Sequence, residues 1–246
     1  MTVKIRLTFF LLLFALLSPA FLHAEETIHE WLVPLMDAVF ESILSADEIE
    51  PLYHSAKASS VEHLSGAALD LALSRCEYYM GMILQLDNRN REAAPHFTEG
   101  LKLAEKALAA SPGADAWVMM GAHLAELCAV NSFSFTIANG LNVERYAKRA
   151  LEYDSLNGAA HYLIASRWAY APAPLHNYNR GIQMMKAIAM EYNADKDYLF
   201  KALFAVGYTY LRQRKHADAR LWLEKALEIY PTNKYALKHL ANANSR

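Results

Sequence analysis

Apolar residues recur every three or four positions along most of this chain, the spacing that builds one buried stripe on an α-helix. The pattern is sharpest between Phe200 and Asn233. There Leu203, Val206, Gly207 and Tyr210 share one helical face, and Ala219, Leu223 and Ala226 share the face of a second helix. Arg212-Gln213-Arg214-Lys215, too polar to bury, marks the turn between them. Pro231 ends the second helix, because proline cannot donate the next helical hydrogen bond. Gly207 leaves a site without a side chain, where a neighbouring helix can approach.

Two independent series repeat this unit. One is the small residue of the leading helix: Gly81, Gly121, Ala165 and Gly207. The other is an alanine of the trailing helix, in Lys106-Ala107-Leu108, Arg149-Ala150-Leu151, Lys186-Ala187-Ile188 and Lys225-Ala226-Leu227. Those alanines stand 43, 37 and 39 residues apart. Five residues beyond them lie Pro112, Ser155, Tyr192 and Pro231, so two units keep the stop proline. The series predict four helix-turn-helix units, at about 66–111, 112–155, 156–195 and 196–233. A long turn is expected at Asp87–Arg91, with Pro95 in the opening turn of the helix that follows. Residues 131–142 and 171–180 read as insertions. Their aromatic and apolar residues Phe133, Phe135 and Ile137 are set either to pack on the repeats or to carry function.

Residues 25–65 precede the repeats and do not fit them. Thr27 with Glu30 and Ser45 with Glu48 have the spacing of capping boxes, so this part is expected to form capping helices. The second of these is read as short, carrying Ile49, Leu52 and Tyr53. Leu237 and Leu240 give a further short helix that can cover the last repeat.

The order of large apolar residue, small residue, Tyr, Ala, Leu, Ala and Pro in the last unit resembles the tetratricopeptide repeat (TPR), a helix-turn-helix unit of about 34 residues. The resemblance implies an all-α fold, a TPR superhelix or α-solenoid. It further implies a concave wall lined by the leading helices, on which ligands of that family usually lie. Carried over repeat by repeat, the wall comprises Arg75, Tyr78, Met82 and Gln85, then Asp115, Val118, Ala122, Ala125 and Glu126. The third helix adds Ala159, Tyr162, Ser166, Ala169 and Tyr170, and the fourth Lys201, Phe204, Tyr208, Leu211 and Arg212. The aromatics offer rigid amphipathic contact area, and Lys201 and Arg212 suit a carboxylate. The family's terminal-carboxylate clamp needs Asn at positions that hold Met82, Ala122, Ser166 and Tyr208 here, which speaks against such a clamp.

Composition agrees with a packed helical chain: 54% of residues are hydrophobic, and Gly and Pro number only 9 and 8. The start reads as an export signal (residues 1–24). Lys4 and Arg6 form its positive end, Leu7 to Leu17 its apolar stretch, and Ser18-Pro19-Ala20 or Leu22-His23-Ala24 the cleavage site. The alternative is an uncleaved membrane anchor, for which the stretch is short. Loss of Lys4 and Arg6 takes the formal charge from −2 to −4. A mildly acidic chain without a basic run is a poor partner for nucleic acid or an anionic membrane. Cys76 and Cys128 lie in apolar helical patterns and read first as unpaired buried thiols, the alternative being a single disulfide in an oxidising compartment.

No reactive constellation appears. Histidine and cysteine lack metal-site spacing, and no nucleophile elbow or phosphate-cradling loop is present. His123 and Glu126, one turn apart, read as a polar pair on the inner wall rather than as ligands. The expectation is therefore a non-enzymatic protein with no cofactor and no metal. It would be an exported, periplasmic scaffold that binds an envelope protein or peptide on its concave face. The alternative is a small-ligand-binding accessory protein of a transport system, its ligand apolar or carboxylate-bearing.

Overall fold

A computed structural model describes residues 29–192 and 196–245. The expected export signal and Thr27 lie outside the described residues. Within them the chain is all-helical. After a 3-10 turn at Glu30–Leu32 come α1 (Val33–Glu41) and α2 (Ala46–His63). Four helix pairs follow: α3 (Gly66–Leu86) with α4 (Asn90–Ala110), α5 (Ala114–Val130) with α6 (Phe133–Tyr153), α7 (Gly158–Tyr170) with α8 (Tyr178–Glu191), and α9 (Lys196–Arg212) with α10 (His216–Ile229). The last helix is α11 (Lys234–Asn244). Among the described residues, no helix is long and apolar enough to cross a membrane.

Each trailing helix packs between its own leading helix and the next, while α3, α5, α7, α9 and α11 touch in succession. The leading helices thus form the inner layer of a superhelix, and α4, α6, α8 and α10 the outer layer. The small residues of the leading helices make the pairs fit. A Cβ at Gly207 would stand 2.7 Å from Leu223 Cγ, and one at Gly81 would stand 2.5 Å from the ring of Phe97. Only a bare glycine permits that approach.

The trailing helices share a buried i, i+4, i+7 triplet. It is Gly100, Ala104 and Ala107 in α4, and Val143, Ala147 and Ala150 in α6. In α10 it is Ala219, Leu223 and Ala226. In α8 the triplet is Gly181, Met185 and Ile188, so Ala187 does not belong to the series. Ala187 is exposed, and Ile188 holds the place that the sequence pattern gives to Ala187. The reason is the close contact at Gly181, where a Cβ would fall 2.8 Å from the Ala169 backbone nitrogen. That contact fixes the rotation of α8.

Three local expectations change. Residues 131–142 are not an inserted loop: from Phe133 on they are the first half of α6. Ser132 caps it by accepting the Phe135 N–H at 3.3 Å, and Phe135 packs into the core. Phe133, Ile137 and Leu141 lie four residues apart on the outer side of this helix and are exposed. The turn after α3 is shorter than Asp87–Arg91, because α4 begins at Asn90. Asn88 takes a left-handed conformation (φ 60°), letting the Arg89 N–H reach the Leu84 carbonyl at 2.8 Å. Pro95 therefore lies in the second turn of α4. Residues 171–177 do form a loop, closed by Asn177, which caps α8.

The N-terminal helices pack on the first pair and also reach the last. Beyond Glu48, whose carboxylate accepts from the N–H and hydroxyl of Ser45, α2 runs for 18 residues rather than as a short helix. At the end of α1 the carbonyl of Phe40 accepts from Asn233 Nδ2 at 2.8 Å. The carbonyl of Glu41 accepts from the Thr232 hydroxyl at 2.7 Å. Ser42, left-handed at φ 44°, accepts the Lys234 N–H at 2.8 Å. The Phe40 ring stacks on Tyr230 at 5.2 Å and meets Phe200 edge-on at 5.9 Å. One continuous core therefore joins α1 to α4 with α9, α10 and α11. The superhelix closes on itself.

Candidate functional site

The inner face gathers aromatic side chains around one carboxylate. Glu126 on α5 is partly exposed yet surrounded by protein. Burial pushes its carboxyl up to about 7, and this is resisted by a hydrogen bond from Gln85 on α3 and by the charge of Lys201 on α9. Its charge acts in turn on Tyr78 of α3, on Tyr162 and Tyr170 of α7, and on Tyr235 of α11. Burial pushes the hydroxyls of Tyr78 and Tyr170 well above the usual tyrosine range, and that of Tyr162 to about 12. All three rings retain partial solvent contact. These partly exposed side chains, drawn from successive helices of the inner layer, line one recess of the inner face.

An aromatic run continues from the recess. Tyr170 lies 5.3 Å from Tyr208, which stacks on Phe204 at 6.2 Å. His239 of α11 approaches Tyr208 at 5.1 Å and Phe204 at 5.7 Å. Tyr235 meets Phe204 edge-on at 6.4 Å. Offset and edge-on pairs at such separations are favourable beyond the area they bury.

Of the residues expected on the wall, Tyr78, Gln85, Glu126, Tyr162, Tyr170, Phe204 and Tyr208 come together here. The others do different things. Val118 is buried with Leu124, Val143 and Leu163 in the packing between successive pairs, so it is core and not wall. Arg75 is buried against Asp115 at 3.3 Å, a paired cation at the start of α5. Asp115 itself is half-exposed. Ala122 is half-buried, and the Ser166 hydroxyl donates to the Leu163 carbonyl of its own helix at 2.8 Å. Arg212 is exposed at the end of α9, its Nη1 donating to the Tyr208 hydroxyl at 3.2 Å. Lys201 turns its ammonium toward the rings of Tyr198, at 5.0 Å, and Phe40, at 5.1 Å.

Tyr235 and His239 are wall residues that the repeat pattern misses. They belong to the helix after the last repeat, for which the sequence pattern was taken from Leu237 and Leu240, and Leu237 turns out to be exposed. His123 is no partner of Glu126. It is fully buried between α3, α4 and α5, its Nε2 within 3.0 Å of the Ser74 hydroxyl, and burial lowers its pKa to about 4.

A second polar cluster joins α2, α3 and α4. Glu77, buried, accepts from Lys57 at 2.6 Å and from the Tyr53 hydroxyl at 2.7 Å, and lies 2.6 Å from His96 Nδ1. Burial pushes its carboxyl up, but these three partners more than offset that and hold it at about 2. Such mutual satisfaction marks a structural junction. Cys76 is buried beside it, its thiol pushed by burial to about 12, and Cys128 is half-buried; both are free thiols. A separate depression of about 430 Å³ lies along α6, lined by Leu141, Glu144, Arg145, Lys148, Arg149 and Glu152. Lys148 pairs with Glu144 and Arg149 with Glu152 along the helix, as on an ordinary solvated face. Among the described residues no cluster of His, Cys, Asp and Glu could hold a metal ion.

Stacked helix pairs with an aromatic inner wall define a tetratricopeptide-repeat protein, and residues 200–233 match the tetratricopeptide repeat itself. Residues 45–188, more than half of the chain, match the family described as Regulator of microtubule dynamics protein 1-3. The chain belongs to that family. No curated protein matches it. A solved structure, "Crystal structure of YrrB: a TPR protein with an unusual peptide-binding site", is 18% identical with a TM-score of 0.38, over 84% of this chain and 90% of that one.

Proposed function

We propose that this chain works by binding rather than by catalysis, as a scaffold that takes a segment of a partner protein or a peptide against its inner wall. The observation that carries this reading is the recess itself. Tyr78, Tyr162, Tyr170, Phe204 and Tyr208 present large, rigid contact surfaces with polar tips, the side-chain chemistry that dominates binding hot spots. The polar cluster at Glu77 is satisfied by Lys57, Tyr53 and His96, whereas the aromatic wall keeps partly exposed rings, which supports reading the wall as the ligand-facing surface. The test is in-cell photo-crosslinking from a phenylalanine-like crosslinker placed at Tyr208. A specific crosslinked protein that disappears when Tyr162 is changed to Ala supports the scaffold. The same background pattern at Tyr208 and at the exposed outer position Met190 refutes it.

We further propose that the scaffold acts after export, in the cell envelope. The reading rests on the positive end at Lys4 and Arg6, the apolar Leu7–Leu17 and the small-residue cleavage pattern before Glu25. N-terminal sequencing of the protein recovered from the envelope fraction tests it: a start at Glu25 is expected, and recovery from the cytosol with Met1 intact overturns it.

The contact of α1 with residues 232–234 favours a second reading. A closed superhelix encloses its inner wall, as a small-molecule site does, and would suit the accessory protein of a transport system. Native mass spectrometry of the protein purified from its own source decides between them, because a released small molecule favours the pocket and a co-purified protein favours the scaffold.

A further inference from the structure

The outer side of α6 carries two adjoining features that the inner wall does not use. Its first half leaves Phe133, Ile137 and Leu141, four residues apart, exposed at 60%, 46% and 56%. Grouped apolar side chains with a polar rim mark interaction surfaces, whereas scattered single ones do not. Leu141 is also one wall of the depression of about 430 Å³ that continues along the second half of the helix. There the lining turns cationic, with Arg145, Lys148 and Arg149 against Glu144 and Glu152. Glu144 lies 2.8 Å from Lys148 and accepts from Arg167 of α7 as well, so one carboxylate serves two cations. Arg149 pairs with Glu152, while Arg145 is exposed and forms no ion pair with the described residues. Pairing along the helix therefore leaves a surplus: four cations meet two carboxylates, in a chain whose formal charge is negative. The surplus extends past Arg167. That guanidinium and the exposed one of Arg180 stand 4.3 and 4.1 Å from the centre of the Trp168 ring.

We propose that the outer side of α6 is a second binding surface, separate from the inner wall, for a segment of a partner protein that places apolar residues beside aspartate or glutamate. Its apolar side chains cover Phe133, Ile137 and Leu141, and its carboxylates meet Arg145 and the surplus charge around the depression. Charge complementarity of this kind selects the partner and speeds its approach. A second copy of this chain is a poor occupant, because a two-fold pairing would set the same positive surface against itself. A planar anionic membrane leaves the depression unfilled, whereas a side chain of a bound segment fills it.

The probe is a library of displayed random peptides, selected on the full chain and depleted on its Arg145→Glu variant. Depletion removes peptides held by the inner wall, which both chains share. The expected survivors combine Leu, Ile or Phe with two or more Asp or Glu. As synthetic peptides they should bind about tenfold more weakly to Ile137→Gln, weaken further as salt is raised, and be indifferent to Tyr208→Ala. Ile137 and Arg145 are both exposed, so neither change removes a core contact. Survivors without acidic residues, survivors indifferent to Ile137→Gln, or no survivors at all overturn the surface. Vesicles of phosphatidylcholine and phosphatidylglycerol are the second probe, and no binding is expected. Vesicle binding that Arg145→Glu abolishes would give the face to a membrane and overturn the protein segment.

Discussion

Asn233 and Phe40, 193 positions apart, are joined by a hydrogen bond of 2.8 Å from the Asn233 Nδ2 to the Phe40 carbonyl. The same asparagine uses its Oδ1 to accept the Ala236 N–H at 3.0 Å, capping α11. One buried side chain therefore starts the last helix and ties it to the first.

Asn233→Ala removes both roles. Loss of an N-cap costs about 1 kcal/mol, and leaving a buried carbonyl without its donor about 1–3 kcal/mol more. A destabilisation of about 2–4 kcal/mol is expected by urea denaturation. Hydrogen exchange should quicken selectively in α1 and α11, and equal protection of both helices in the variant and the parent chain would contradict the closure.

Gly100 faces His123 so closely that a Cβ would fall 2.0 Å from Cε1 of the ring. His123 cannot swing aside, since it is fully enclosed and held near Ser74. Gly100→Ala, which improves intrinsic helix propensity, is expected instead to destabilise the chain by about 1–3 kcal/mol through overpacking. A melting temperature equal to or above that of the parent chain would refute the packing.

Glu126 links the recess to pH. Its folded value of about 7 exceeds the ordinary 4.5, so between those values the folded state holds more protons than the unfolded one. Stability should therefore be greatest below about pH 5 for this group and fall as pH rises through 7. Glu126→Gln removes the dependence, and should stabilise the chain by about 2–3 kcal/mol at pH 8 with little change at pH 5. Denaturant melts at the two pH values check this; a variant less stable at pH 8 would show that the carboxylate has a close cation after all.

Glu77 behaves in the opposite sense. Held at about 2, it contributes stability that is present above 4.5 and is lost as pH falls toward 2. Glu77→Ala leaves Lys57 partly buried without its anion and should cost about 3–5 kcal/mol at pH 7. The difference from the parent chain should shrink progressively in melts between pH 4.5 and pH 2.5, and a constant difference would exclude the ionised junction.

The repeat, its small residues and most of the recess were legible along the chain, because a helix face is a local property. Gly81, Gly121, Ala165 and Gly207 could be placed from spacing, and the resemblance to the tetratricopeptide repeat then implied Tyr78, Glu126, Tyr162, Tyr170 and Phe204 for the inner wall. The alignment failed where a contact with another helix set the rotation, as at Ala187, displaced by the approach of Gly181 to Ala169. It failed again at residues 131–142, read as an insertion, where the Ser132 cap and the partly buried Phe135 hold the chain from Phe133 on in α6. Val118 reads as wall by register, but the neighbouring pair covers it. What the sequence by itself determined is thus the helical repeat, through short-range periodicity, and, through its resemblance to a known repeat, the side chains expected on the inner face. Only the tertiary structure decided that α1 closes onto residues 232–234 and that Tyr235 and His239 join the wall. Those outcomes depend on contacts between residues far apart in the chain, which leave no period in the sequence to read.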